Sequence, residues 1–122
     1  MKTILVVEDS HLSFELLRRA LAFNDDYSAE FFCKNAENLI AVYEECRPDI
    51  VVMDIVMEGV NGIDMTRMLK EAHPEAKVVM LTSLSYQEVR ESAMSAGAAS
   101  YIQKPFRPEQ VIRAFDEALR GL

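Results

Sequence analysis

The apolar residues of this chain follow two alternating patterns: short continuous runs, and longer stretches with helical spacing. The short runs predict five β-strands. The two runs in the middle of the chain lack the alternation of a half-exposed strand, which is typical of strands buried on both faces. The longer stretches predict five helices. The predicted strands are Thr3–Glu8, Ser28–Cys33, Ile50–Met53, Lys77–Leu81 and Ser100–Gln103, and the predicted helices are His11–Phe23, Ala36–Cys46, Ile63–Ala72, Tyr86–Ala96 and Pro108–Leu119.

The regular alternation of strand and helix predicts an α/β fold. Strands separated by helices and short connections are parallel and joined by right-handed crossovers, so helices cover the sheet. A length of 122 residues is enough for one hydrophobic core and too short for two ordinary ones. We therefore predict a single domain over residues 1–122.

The negative net charge disfavours binding partners that are themselves anionic. The chain has 20 acidic and 13 basic residues, a net charge of −7, which repels the phosphates of nucleic acids and anionic lipids. No apolar run approaches the length of a membrane span, and Glu8 and Asp9 make the first segment acidic too early for a signal peptide. Cys33 and Cys46 form neither a zinc-like pair nor a disulfide framework, which favours a cytoplasmic location.

Several sulfur-containing and imidazole side chains are expected to have structural roles only. His11 and His73 have no second histidine or cysteine at ligand spacing, so a metal role is not expected. Both cysteines are expected to be small buried residues. Methionine commonly fills hydrophobic cores, and core positions are expected for five of the seven methionines. These are Met53, Met65, Met68, Met80 and Met94.

Polar and charged side chains collect where the predicted strands end. In an open parallel sheet, ligands bind beyond the carboxyl ends of the strands, at one edge. Three carboxylates, two hydroxyls and one ammonium would therefore share that edge. They belong to Glu8, Asp9, Asp54, Thr82, Ser83 and Lys104.

This combination of charges predicts a site for a divalent cation and a phosphate. Two carboxylates about 5 Å apart repel each other by roughly 3 kcal/mol at an effective dielectric constant near 20, and Lys104 offsets only one charge. A few hard oxygen ligands suit Mg²⁺, whose coordination is usually completed by water and a phosphate oxygen. Asp54 stands alone at the end of a central buried strand and is the natural nucleophile toward phosphorus. Thr82 and Lys104 would hold the phosphoryl oxygens.

Each of these residues also has an ordinary structural interpretation. Asp9 could cap the first helix, Asp54 could start a turn, and Thr82 could act as a cap. Lys104 could be a solvated side chain. All of these ordinary roles would have to coincide at one edge of the sheet, and their coincidence favours a functional site.

The order and spacing of these residues resemble the receiver domain of two-component response regulators, in particular the single-domain, chemotaxis-regulator-like members. The resemblance covers essentially the whole chain and rests on Glu8-Asp9, Asp54, Thr82 and Lys104-Pro105-Phe106. It implies a flavodoxin-like, doubly wound sheet of five parallel strands in the order 2-1-3-4-5 with five helices.

The resemblance also implies a role for individual residues. Asp54 would accept a phosphoryl group from the phosphohistidine of a sensor histidine kinase or phosphotransfer protein. Mg²⁺ would be held by Glu8, Asp9, Asp54 and the backbone carbonyl of Val56. Thr82 and Lys104 would contact the phosphoryl oxygens.

Further implications concern the switch and its output. Tyr101 would be the switch aromatic that responds to Thr82, and the Lys104-Pro105 bond would be cis. A downstream protein would bind the Ser85–Leu119 face, and phosphorylation could be linked to dimerisation. The protein would catalyse its own phosphorylation and slow dephosphorylation without being a multiple-turnover enzyme.

Two other functions share this architecture. An aspartyl-phosphate hydrolase typically carries a second aspartate, as general acid, two residues after the nucleophile, where this chain has Val56. A flavodoxin-like FMN-binding module needs a phosphate loop after the first strand, where Glu8 and Asp9 would repel phosphate. A scaffolding domain would explain the fold but not the charged edge.

One position departs from the receiver pattern, because Glu58 stands where proline is common and adds negative charge near the metal site.

Overall fold

Five strands and five helices make up most of the protein, for which a computed structural model describes residues 1–120. Residues 121 and 122, the last two of the predicted domain, lie outside the described residues. The sheet strands are β1 Lys2–Val7, β2 Tyr27–Cys33, β3 Ile50–Asp54, β6 Val78–Thr82 and β7 Ser100–Gln103. The helices are α1 His11–Ala20, α2 Leu39–Cys46, α3 Gly62–Ala72, α4 Gln87–Ser95 and α5 Pro108–Arg120. A small antiparallel hairpin, β4 Val56–Met57 and β5 Val60–Asn61, connects β3 to α3.

The large sheet is entirely parallel and has the order β2-β1-β3-β6-β7. With the hairpin strands left out of the count, this is the order 2-1-3-4-5, so the predicted flavodoxin-like fold is confirmed. Strands β3 and β6 are buried along their whole length, as their continuous apolar runs predicted. Among residues 1–120, no helix has both the length and the apolar composition to cross a lipid bilayer.

The core lies in two layers, one on each face of the sheet. Successive residues of a strand point to opposite faces, so Val52 packs with α1 and α5, while the adjacent Met53 packs with α2, α3 and α4. Phe115 of α5 is fully buried in the first layer, where its ring meets Tyr27 edge-on at a centroid distance of 5.1 Å. Leu69 of α3 is fully buried in the second layer.

Two helix boundaries differ from the prediction by more than one residue, because polar side chains redirect the chain. Helix α1 ends at Ala20 rather than Phe23. The side chain of Asn24 accepts hydrogen bonds from the next backbone amides, which turns the chain into β2. Residues Ala36–Asn38 form a separate 3₁₀ turn before α2, capped by the Asn35 side chain.

Some residues expected in the core lie on the surface. Met68 of α3 is 51% exposed and Met94 of α4 is 42% exposed, so the prediction was wrong for both. Helical spacing alone does not give the width of the buried stripe, and Ala93 is the one buried residue of α4. Cys33 is buried as expected, whereas Cys46 is only partly buried.

Candidate functional site

The charged edge of the sheet forms at the carboxyl ends of the parallel strands. Glu8 and Asp9 follow β1 directly, Asp54 is the last residue of β3, and Thr82 is the last residue of β6. Lys104 follows β7, and its backbone amide donates a hydrogen bond of 2.8 Å to the Thr82 carbonyl. The parallel register therefore brings five residues from four segments to one place.

Three carboxylates form a compact acidic cluster at this edge. Glu8, Asp9 and Asp54 each offer one oxygen, and these three oxygens lie within 4.8 Å of one another. Glu8 and Asp54 are buried, whereas Asp9 is exposed to solvent. The Lys104 ammonium lies 3.2 Å from Glu8 Oε2 and 3.6 Å from Asp54 Oδ2. It also reaches Ser13 Oγ in α1, at 3.4 Å.

The cluster carries more negative charge than its one lysine can balance. Burial, and after it the neighbouring Asp54 carboxyl, raise the pKa of Glu8 to about 7 against the lowering effect of Lys104. Desolvation and like charge both disfavour the ionised form of a carboxyl group. The cluster is therefore poised to bind a proton or a cation.

The donor set fits a small divalent cation. Mg²⁺ prefers oxygen ligands and uses only one or two protein carboxylates, with water or phosphate completing its octahedron. Three carboxylates next to one ammonium provide such ligands and an excess of negative charge. An exposed Asp9 leaves one side of the cluster open to solvent.

Asp9 is held by the hairpin that follows Asp54, and it does not cap helix α1. The helix N-cap is Ser10, which makes no side-chain capping bond. Asp9 Oδ2 instead accepts a hydrogen bond of 2.9 Å from the Glu58 backbone amide. This bond is the largest cause of the lowered pKa of Asp9, so this carboxylate stays ionised.

Asp54 and Thr82 do have the local turn roles that their residue types suggest. The Val56 amide donates to Asp54 Oδ1 at 3.1 Å, and the Leu84 amide donates to Thr82 Oγ1 at 3.1 Å. Such bonds are common where Asp or Thr starts a turn. They fix the direction of both side chains at the ends of β3 and β6 and leave Asp54 Oδ2 facing Lys104.

Tyr101 is connected to Thr82 through the β6–α4 loop. Its hydroxyl donates a hydrogen bond of 2.8 Å to the backbone carbonyl of Leu84. The backbone amide of the same residue donates to the Thr82 hydroxyl oxygen. The Arg90 guanidinium of α4 lies 5.3 Å from the centre of the Tyr101 ring. The Lys104-Pro105 peptide bond is cis in this structure.

Sequence reasoning missed three contributors to the site. Ser13 lies in the first turn of α1, and its contact with Lys104, 91 residues later in the sequence, leaves no local pattern that could have identified it. Gly62 precedes the predicted third helix and has no side chain to suggest a role, yet a Cβ there would lie 1.9 Å from the backbone oxygen of Asp54. The Glu58 amide could not be found, because every non-proline residue carries the same donor.

Comparison with known proteins identifies the family. The profile of the response regulator receiver domain matches residues 4–116, which is nearly the whole chain. The chain belongs to the response regulator receiver domain family. Receiver domains are the signalling switches of two-component systems rather than typical multiple-turnover enzymes.

Known relatives match along almost the full length of this chain. The chemotaxis protein CheY of Halobacterium salinarum is 36% identical over 118 residues, covering 97% of this chain and 97% of that protein. CheY of Thermotoga maritima is 31% identical over 116 residues, covering 95% and 96%. The response regulator MprA of Mycolicibacterium vanbaalenii is 34% identical over 117 residues, which span 96% of this chain and 50% of that protein.

Solved structures of receiver domains have the same architecture. A two-component response regulator of the LuxR family from Aurantimonas sp. SI85-9A1 superposes with a TM-score of 0.91 at 28% identity, covering 99% of this chain and 86% of that one. CheY4 of Vibrio cholerae, at 21% identity, superposes with a TM-score of 0.84 over 98% of this chain and 99% of that one, which supports the fold.

Proposed function

We propose that residues 1–122 form one receiver domain that acts as a phosphoacceptor switch in the cytoplasm. Asp54 would take a phosphoryl group from the phosphohistidine of a sensor histidine kinase or phosphotransfer protein. Membership of the receiver family and the near full-length match to CheY proteins support this function. The single observation that carries it is the Asp54 carboxylate, buried at a strand end beside two further carboxylates and one lysine.

The chemistry at Asp54 follows from which of its oxygens is free to react. Oδ1 accepts the Val56 amide, so the carboxylate is held in one orientation. Oδ2 faces Lys104 at 3.6 Å and is the oxygen that would attack phosphorus. Lys104 would hold a phosphoryl oxygen, since an ammonium close to a transferring phosphoryl group stabilises its negative charge. The Thr82 hydroxyl would bind a second oxygen after releasing the Leu84 amide.

A divalent cation belongs to this proposal because like charge otherwise opposes the reaction. Glu8, Asp9, Asp54 and the Val56 backbone carbonyl would hold Mg²⁺. When bound, Mg²⁺ offsets the negative charge of the carboxylates and of the incoming phosphate. Asp9 is exposed and ionised, and therefore suited to direct ligation. Glu8 is buried behind it and would act in part through water.

The switch would work by population shift between two arrangements of Thr82 and Tyr101. Phosphorylation favours the active arrangement only through contacts that differ between the two states. A phosphoryl bond to Thr82 would alter its bond to the Leu84 amide, and Leu84 also accepts the Tyr101 hydroxyl. The Tyr101 ring would transmit that change to the Ser85–Leu119 face.

This Ser85–Leu119 face would bind the downstream protein partner. It includes α4, β7 and α5. Most side chains of α4, among them Met94, are exposed, and so is Tyr86, which precedes the helix. Phosphorylation could also link two copies through this face. Direct binding to nucleic acid is not part of the proposal, because the net charge of −7 repels phosphate.

The aspartyl-phosphate hydrolase alternative is less well supported. Two residues after Asp54 the chain has Val56, whose 60% exposed apolar side chain cannot donate a proton to a leaving group. The domain would therefore catalyse its own phosphorylation and slow dephosphorylation without multiple turnover.

Phosphorylation by a small donor tests the proposal directly. The protein is incubated with Mg²⁺ and acetyl phosphate, and intact mass spectrometry is expected to show the addition of one phosphoryl group. Asp54→Asn should abolish the addition. Asp64→Asn is the matched control, because Asp64 is exposed on α3 and pairs only with Arg67 in the described structure. Equal modification of the Asp54→Asn variant and the wild type would refute the assignment.

A further inference from the structure

One hydrogen bond joins the two loops that carry the proposed metal ligands. The backbone amide of Glu58 donates to Asp9 Oδ2 at 2.9 Å across 49 residues of sequence. Asp9 belongs to the loop after β1, and Glu58 belongs to the turn of the β4–β5 hairpin that follows Asp54. The bond therefore fixes the position of the exposed carboxylate relative to the phosphoacceptor strand.

The residue type at position 58 decides whether this bond exists. Proline, which the receiver pattern commonly has here, carries no backbone N–H and could not donate it. The sign of φ at this position does not exclude proline, because φ is negative at Glu58 and the positive φ of the turn, +78°, falls on Gly59. A substitution by proline at position 58 would therefore remove the N–H donor without requiring a change in the sign of φ.

The Glu58 carboxylate is a separate feature from its amide. The side chain is exposed, and the hydrogen bond to Asp9 is donated by the Glu58 backbone amide and does not involve the carboxylate. A substitution that keeps the amide and removes the charge can therefore isolate the two contributions.

We infer that Glu58 is a positioning residue for the metal site, acting through its backbone amide on Asp9 rather than through its carboxylate. The amide holds one Asp9 oxygen and leaves the other for the cation. Groups that orient a metal ligand without touching the metal commonly change affinity by a factor of ten or more. This inference rests on the proposed function, since it assumes that Asp9 binds Mg²⁺.

Two variants with an uncharged residue at position 58 test the inference by their affinity for Mg²⁺ alone. Glu58→Gln and Glu58→Pro remove the same charge, but only the proline variant lacks the amide. Both are titrated with Mg²⁺ and followed by backbone amide chemical shifts, with circular dichroism to verify folding. We expect the Kd of Glu58→Pro to exceed that of Glu58→Gln by about tenfold or more. A smaller ratio overturns the inference.

A second measurement does not depend on the proline variant. Hydrogen exchange of the Glu58 amide is measured without Mg²⁺ in the wild type and in Asp9→Ala. We expect at least about threefold faster exchange in the variant, because the acceptor has been removed. Equal rates would overturn the inference. If the wild type itself neither binds Mg²⁺ nor is phosphorylated, the proposed function fails instead, and the two failures are distinguishable.

Discussion

Glu8 should make the metal-free protein less stable as the pH rises. Its side chain is 1% exposed, and its pKa rises from an ordinary value of 4.5 to about 7, chiefly because of burial. A carboxyl whose pKa is higher in the folded state binds its proton more tightly there. Its contribution to stability is therefore complete below pH 4.5 and is lost as the pH passes through about 7.

The size of the effect follows from the same values. Each tenfold change in proton affinity corresponds to about 1.4 kcal/mol, so a rise from 4.5 to about 7 gives a loss of about 3 kcal/mol. That is a large part of the 5–15 kcal/mol by which domains are typically stable, roughly a fifth to three fifths. Glu8→Gln keeps the shape of the protonated acid and cannot ionise, so it isolates this contribution from all other titrating groups.

Urea denaturation of both proteins in the presence of a chelator measures the effect. Unfolding free energies are obtained from circular dichroism at several pH values between about 4.5 and 8. We expect the stability of Glu8→Gln relative to the wild type to increase with pH across this range. Parallel pH profiles for the two proteins would refute the reasoning, because Glu8 would then have the same pKa folded and unfolded.

Three further substitutions test the packing of the site and of the core. Gly62→Ala should destabilise by about 1–3 kcal/mol through overpacking, because its Cβ would lie 1.9 Å from a backbone oxygen of β3; denaturation measures this cost, and a loss below about 0.5 kcal/mol would contradict the reasoning. Tyr101→Phe should cost about 1 kcal/mol through its lost hydrogen bond, and the exposed Tyr86→Phe should cost nothing measurable; equal effects would contradict this. Phe115→Ala should cost about 3–5 kcal/mol in the same assay, since the ring is fully buried, and a loss below about 1 kcal/mol would contradict its core role.

The fold was predictable because burial leaves a clear pattern in the sequence. The runs at β3 and β6 lack polar alternation, and both strands are buried throughout. The β4–β5 hairpin was missed because strands of two residues have no periodicity to detect. Exposure of Met68 was missed because helical spacing does not fix how wide the buried stripe is.

The candidate site was predictable at the level of side chains but not of backbone contacts. Glu8, Asp9 and Asp54 come together because parallel strands deliver their carboxyl ends to one edge. The approach of Gly62 to the Asp54 backbone depends on tertiary geometry that residue identity does not encode. The same holds for the Glu58 amide, whose partner is set by how two loops meet.

Neighbouring residues of strand β7 pack on opposite faces of the sheet. Tyr101 packs against the α2–α4 layer, and the next residue, Ile102, packs against the α1–α5 layer. A rotation of the tyrosine would therefore disturb its own layer directly, while the opposite layer keeps its contacts with the strand. If Tyr101 acts as the proposed switch, its movement would be confined to the α2–α4 layer, and the packing of α1 and α5 against the other face of the sheet would stay in place.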